Sequence, residues 1–316
     1  MNCDQSCDRT AYGNRAWLFL AALSLIGLPG IIWPAQASEN ESRAGHGHVS
    51  LSYQYITIDG FQSSIGKLPI GTADTHSLNL EVEYYATDKL TLIAGIPFVR
   101  KRYQGPGPHD PLTLDPPRPQ VENVDTGDWN TGFQDFHLGV RYLAYDSPTW
   151  GIQPYAFFGL PSNEYPFFGH AAVGQQLTKF DLGSSFTFVP PISDAYYRLS
   201  IGYVFVEETL DNSINHWLIG AEAGYHFSPR LTGRAFVLLK KGNGLIFPDD
   251  FPTPRTTEKW YQHDRMVKHN YMNLGVGVDW AVNEKYQLTS SVMTMTWADQ
   301  VHVMKYAVNI GLSRAF

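Results

Sequence analysis

From residue 48 onward, apolar and polar side chains alternate with a period of two in twelve separate stretches. Strand side chains point alternately to opposite faces, so each stretch reads as a ribbon with one apolar and one polar side. Leu78, Leu80, Val82 and Tyr84 share one face of 77–85, while Asn79, Glu81 and Glu83 share the other. Trp217, Ile219, Ala221, Ala223, Tyr225 and Phe227 oppose His216, Gly220, Glu222 and His226 in the same way. The twelve stretches lie near 48–58, 75–87, 89–103, 132–146, 149–160, 177–189, 195–206, 215–227, 230–241, 269–282, 285–297 and 302–316.

The connections narrow the fold further. Tight ones fall at Thr87-Asp88-Lys89, Asp146-Ser147-Pro148, Ser228-Pro229 and Asn283-Glu284, with a longer one at Pro190–Asp194. Between them lie 59–74, 104–131, 161–176, 207–214 and 242–268, with a short exception at 298–301. Short turns at one end and longer loops at the other are the layout of a transmembrane barrel, and an even strand count leaves both termini on the short-turn side. A soluble sandwich gives no reason for such alternation.

Composition agrees. Charged residues make up 17% of the 316, below the roughly 25% of an average soluble domain. Aromatics reach 14% and there are 28 glycines, which argues against disorder. Beyond the N-terminal region no apolar run approaches the ~20 residues of a spanning helix. The net charge of −7 lacks the basic footprint of a nucleic-acid binder.

Aromatics cluster at the strand ends: Tyr84, Tyr142, Tyr225, Phe227, Trp280 and Tyr286 beside short turns, and Phe98, Tyr103, Phe205, Trp217, Tyr271 and Trp297 beside long loops. Two such bands match the girdles at both membrane interfaces. Tyr306, Val308, Ile310, Leu312 and the terminal Phe316 share one face of the last strand. That ending resembles the signal read by barrel-assembly machinery. The fold expected is all-β: a transmembrane, antiparallel, up-and-down barrel of about twelve strands spanning 48–316, in a bacterial outer membrane.

Residues 1–37 read as an export signal. Arg15 precedes an apolar run from Ala16 to Trp33, and Ala35-Gln36-Ala37 forms a small-x-small cleavage pattern. Residues 38–47 would then be a short periplasmic segment. Cys3 and Cys7, the only cysteines, both precede the apolar run, so cleavage leaves no disulfide, thiolate nucleophile or cysteine metal site.

Several blocks carry a family likeness. Val82-Glu83-Tyr84 leads through Thr87-Asp88-Lys89-Leu90 to Gly95-Ile96-Pro97-Phe98. Gly132-Phe133-Gln134-Asp135, Gly139-Val140-Arg141-Tyr142 and Leu160-Pro161-Ser162-Asn163 follow, and the chain ends in Asn309-Ile310-Gly311-Leu312 through Phe316. Together they resemble the outer-membrane family linked to meta-pathway phenol degradation. The resemblance implies a transporter for aromatic or other hydrophobic compounds, and it brings no catalytic constellation.

Alternation places Glu81, Glu83, Arg141, Arg198, Glu222, Arg234 and Asp279 opposite the apolar stripe, hence in the lumen. Facing lipid, an Arg or Lys near the midplane would cost roughly 2–4 kcal/mol. Such charges could select solutes at a constriction, or form internal salt bridges that fill a narrow barrel. Arg100, Lys101 and Arg102 end the third strand at the long-loop side, and Lys240-Lys241 end the ninth. Basic groups at that height could pair with lipopolysaccharide phosphates, or merely form a solvated rim.

The loop 104–131, with six prolines, is stiff and could fold inward as a lid or stand outside. The cluster Trp260-Tyr261-Gln262-His263-Asp264-Arg265 in 242–268 fits packing against that loop better than binding. No metal site or cofactor is expected; His46-Gly47-His48 reads as a polar tail. His137, His216 and His226 could in principle serve an embedded lipid hydrolase, but no nucleophile motif accompanies them, and the chain is not expected to be an enzyme. The reading is a channel for passive or facilitated passage of small, hydrophobic or aromatic solutes. The alternative is a closed barrel acting in structure, adhesion or lipid contact through its loops.

Overall fold

A computed structural model describes residues 42–106, 109–251 and 256–316. The expected export segment 1–37 and its cleavage site lie outside these residues. Each alternating stretch forms a stave of one antiparallel sheet: β1 (Gly47–Ser63), β2 (Gly66–Tyr85), β3 (Leu90–Gln104), β4 (Trp129–Phe133 continued by Asp135–Tyr142), β5 (Trp150–Pro161) and β6 (Lys179–Phe188). They are followed by β7 (Ala195–Val206), β8 (His216–Ser228), β9 (Leu231–Gly242), β10 (Asn270–Ala281), β11 (Tyr286–Asp299) and β12 (Val301–Ala315). Each stave pairs with its neighbours in sequence. β12 returns to β1 from His48↔Ala315 to Gln62↔Val301, closing a twelve-stranded barrel. Closure satisfies every edge, as lipid demands of a spanning sheet.

The break in β4 is a bulge. The register with β3 passes from Phe98↔Phe133 to Gly95↔His137, one residue out of step, and the Gln134 N–H donates to the Pro97 carbonyl at 3.0 Å. At the seam, Gly47 and Phe316 exchange two backbone bonds, of 2.9 and 3.0 Å. A Cβ on Gly47 would lie 2.3 Å from the Glu83 carbonyl oxygen and 2.6 Å from the Phe316 ring, so only glycine fits there.

The sheet is inverted relative to a soluble protein. Leu80 is 45% exposed on the outer face, whereas Glu83 is 1% exposed within. Tyr84, Tyr142, Tyr225, Phe227, Trp280 and Tyr286 lie exposed at the short-turn end, and Phe98, Phe205, Trp217 and Trp297 at the long-loop end. Tyr103 and Tyr271 depart from the expected girdle, being buried at 2% and 3%. The parity of Tyr103 in β3 matches the inward Lys101, and its hydroxyl donates to the Pro106 carbonyl at 2.9 Å. Tyr271 in β10 shares the parity of the inward Asn273 and Gly275.

Side-chain oxygens build the short turns. Thr87 Oγ1 accepts from the N–H groups of Lys89 and Leu90 at 3.2 and 2.9 Å. Asn283 Oδ1 accepts from those of Lys285 and Tyr286 at 2.9 and 3.0 Å.

One expected long loop is strand. Residues 59–74 continue β1 and β2 into a hairpin turning at Ser64 and Ile65, with Asp59↔Thr72 and Phe61↔Leu68 still paired. The rim is therefore uneven: β2 has 20 residues and β1 has 17, against 10 in β6 and 12 in β7. The β11–β12 turn is one residue, Gln300, at φ 59°.

Candidate functional site

All seven sequence-predicted lumen charges lie on the inner face, in two groups. On β2 and β4, Glu81 Oε2 and His137 Nε2 are 2.8 Å apart, and Arg141 donates to Glu83 with both side chains buried. The second group is a relay across β7, β8, β9 and β10. Arg198 Nη1 donates to Glu222 Oε1, and Arg234 Nη1 to Glu222 Oε2, each at 3.3 Å. Arg234 Nε then donates to Asp279 Oδ2 at 3.0 Å, and Asp279 Oδ1 accepts the Thr289 hydroxyl at 2.5 Å. The Tyr196 hydroxyl donates to Glu222 at 2.8 Å. β3 and β8–β9 are about half a ring apart in a twelve-stave barrel, so the groups occupy opposing arcs of the wall. Both groups lie nearer the short turns than the long loops.

Glycines make room for inward rings between these charges. A Cβ on Gly139 would meet Phe157 Cδ1 at 2.0 Å, and one on Gly224 would meet Tyr196 Cε1 at 1.9 Å. Each ring thus lies flat over a glycine of the next strand instead of projecting across the lumen. The lining combines charge relays with aromatic faces. His216 Nδ1 lies 2.9 Å from the Ile214 carbonyl oxygen, and His226 Nδ1 lies 2.7 Å from Thr232 Oγ1.

Three long loops close over the mouth. Leu114 from 105–128, Phe168 from 162–178, and Phe247, Phe251, Trp260, Met266 and Val267 from 243–269 form one apolar core with Phe61 of β1. Arg118 pairs with Glu258 and lies 4.1 Å over the Tyr261 ring. The Asp115 N–H donates to the Thr256 carbonyl at 2.6 Å, and Gln175 donates to the Asp264 carbonyl at 2.6 Å. One helical turn, α1 (Glu258–Tyr261), is capped by the Thr257 hydroxyl, which accepts from the Trp260 N–H at 3.2 Å. The expected packing of 242–268 against the proline-rich loop is thus present.

The mouth also gathers histidines the sequence did not single out as a group. His109 is in ring contact with both His170 and His263, and His170 with His302. Metal-ligating atoms come within 4.8 Å in two sets, His109 with Asp125 and His170, and His109 with His263 and Asp264. Burial, and then the neighbouring His302 and His109, hold His170 well below the ordinary imidazole value. Burial pushes the Asp264 carboxyl up, but the surrounding histidines outweigh it and hold it below the ordinary carboxylate value. These residues come from three loops and the start of β12, far apart in sequence, so no spacing could announce them. The His46–His48 pair is split: His46 is exposed, while His48 is buried inside β1, edge-on to Tyr85 at 5.8 Å.

The five basic rim residues also divide by parity. Arg100 and Arg102 face outward, each guanidinium 4.6 Å over the Trp129 ring. Arg102 also pairs with Asp74 at 3.4 Å. Lys241 is exposed, its ammonium 5.1 Å from the Trp297 ring. Lys101 and Lys240 correct the expectation of lipopolysaccharide contact: both sit on the inner face, where strand alternation turns them from the lipid side. Lys101 donates to the Ala172 carbonyl at 3.2 Å, and Lys240 is buried. On β12, Tyr306, Ile310, Leu312 and the terminal Phe316 are exposed, and Val308 is half-buried on the same face.

A profile of the protein family described as "Putative MetA-pathway of phenol degradation" matches residues 73–298. No curated protein matches the chain. Among solved structures, the COG4313 outer membrane channel from Pseudomonas putida F1 is similar with a TM-score of 0.66 and 14% identity, over 86% of this chain and 96% of that one. The P. putida toluene transporter TodX gives 0.40 and 9% over 86% and 90%. KdgM porin in complex with disordered oligogalacturonate gives 0.46 and 9% over 84% and 99%. The first likeness is one of fold; the other two are too distant to bear on it.

Proposed function

Because the chain belongs to this phenol-degradation family, we propose that it is an outer-membrane channel for passive or facilitated passage of small solutes, aromatic and hydrophobic ones included. The observation that carries this reading is the inner wall. Opposed charge relays and flat aromatic faces line a closed barrel whose glycines hold rings out of the lumen. Charges so placed tune what passes a constriction, and rings offer sliding contact to aromatic solutes. Glu81, Glu83, Arg141, Arg198, Glu222, Arg234 and Asp279 are the selecting residues in this proposal. Residues 1–37 would direct export and be removed, and the outward face of β12 ending in Phe316 would be read by barrel-assembly machinery. Arg100, Arg102 and Lys241 would meet lipopolysaccharide phosphates. No catalytic role is assigned to any residue.

The apolar core over the mouth favours a second reading, a closed barrel acting through its loops. Planar-bilayer conductance of refolded protein separates the two. Stable ohmic steps support the channel. Silence from protein shown to be folded overturns it in favour of the closed barrel.

A further inference from the structure

We infer that the loops over the mouth form a site for one first-row transition-metal dication such as zinc, with His109 Nε2, His263 Nε2 and a carboxylate oxygen of Asp264 as ligands. The argument starts with the protons. His263 Nδ1 lies 2.7 Å from the Trp260 carbonyl oxygen, which can only accept, so Nδ1 carries the proton. His109 Nδ1 lies 2.8 Å from Asp125 Oδ2. That carboxylate already accepts the His170 and Ala171 N–H groups at 3.1 and 2.9 Å, so His109 Nδ1 also donates. With both Nδ1 atoms so engaged, His109 and His263 turn their Nε2 atoms toward each other, at 3.2 Å.

Two Nε2 atoms at that distance are held together by a shared cation, either a proton or a metal ion. The geometry favours the ion. The rings are parallel within 3° with centroids 5.0 Å apart, too close for imidazoles aimed head-on along the 3.2 Å line. The two nitrogens are thus inclined to that line, as they are when two ligands share one tetrahedral ion. Asp264 Oδ1 lies 3.3 Å from His263 Nε2, and all three ligand atoms fall within 4.8 Å of one another. With metal bonds of about 2.0–2.1 Å, neighbouring ligands of a tetrahedral ion stand about 3.3 Å apart, leaving a fourth position for water.

The supporting shell is in place as well. Asp125 and the Trp260 carbonyl fix the two ring tautomers, as outer partners of metal-bound histidines do. Trp260 stacks on His263 at 4.1 Å, and Phe168 abuts His109 edge-on at 5.0 Å. Asp125 is the less suitable ligand, since His109, His170 and Ala171 already occupy its oxygens. An ion here would join the loop 105–128 to the loop 243–269 across the mouth.

The test is calorimetric titration of zinc into chelator-stripped, full-length protein in detergent, with folding checked by heat-modifiable migration. One site per chain is expected, weakened about 100-fold in His263→Ala and by about 10–100-fold in Asp125→Asn. Asp264→Asn keeps the side-chain shape and guards against a folding defect; it too must weaken binding. The inference is overturned if folded protein takes up no zinc. It is equally overturned if either His263→Ala or Asp264→Asn binds with wild-type stoichiometry and affinity.

Discussion

Glu222 is the hinge of the lumen relay, because it accepts from both Arg198 and Arg234 at 3.3 Å while Arg234 also serves Asp279 at 3.0 Å. These four side chains balance to zero charge. Glu222→Gln leaves the quartet at +1, and Arg234→Gln leaves it at −1. An ion passing about 6 Å from the substituted group feels about 0.7 kcal/mol at a water-like dielectric. Cation and anion respond with opposite signs, so their relative permeability changes by about 1.4 kcal/mol, or about tenfold. Reversal potentials across a planar bilayer under a KCl gradient measure this directly. Glu222→Gln should move the potential toward anion preference and Arg234→Gln toward cation preference, with the double variant returning near wild type. An unpaired buried charge also costs about 3–5 kcal/mol, so each variant must first be shown to be folded. Folded single variants that conduct with the wild-type reversal potential would refute the constriction.

Other expectations test the wall, the mouth and the rim. Gly139→Val should lose about 1–3 kcal/mol of stability, because its Cβ would meet the Phe157 ring at 2.0 Å; urea unfolding in micelles reads this. Trp260→Ala removes the centre of the loop core at a cost of about 3–5 kcal/mol, and should raise protease sensitivity of the loops and the frequency of channel openings while the barrel stays folded. Arg100→Ala with Arg102→Ala should weaken lipopolysaccharide binding to the solubilised barrel, whereas Lys240→Ala, with its inward side chain, should not. Zinc should suppress openings of the wild type and leave Asp264→Asn unaffected in the same bilayer recording.

Most of the barrel was legible because alternation is local: a residue's parity within its strand decides whether it meets lipid or lumen. That rule placed all seven lumen charges. It was available, unused, for Lys101 and Lys240, which stand one residue from outward neighbours. The same parity puts Tyr103 and Tyr271 inside, beside Lys101 and Asn273. Residues 59–74 lack that clean alternation, yet they pair as strand, with Gly60, Gly66 and Gly71 at positive φ in the hairpin. The mouth was illegible for a different reason. His109, His170 and His263 are brought together by tertiary packing of separate loops, and no periodicity in one segment encodes a contact with another.

The unequal staves make the tube an obliquely cut one. About ten residues separate β2 from β6 in length, which at roughly 3.3 Å per residue and a tilt near 40° raises one side by about 25 Å. A large particle approaching from the loop side touches the crest at Ser64 and Ile65, where Ile65 is 69% exposed, well before it nears the low sector of β5–β7. On the opposite side the staves β5 and β6 stop lower, and the loop 162–178 between them folds inward to bring Phe168 into the mouth core. Substitution of Ile65 can therefore alter what large bodies encounter without touching the inner wall.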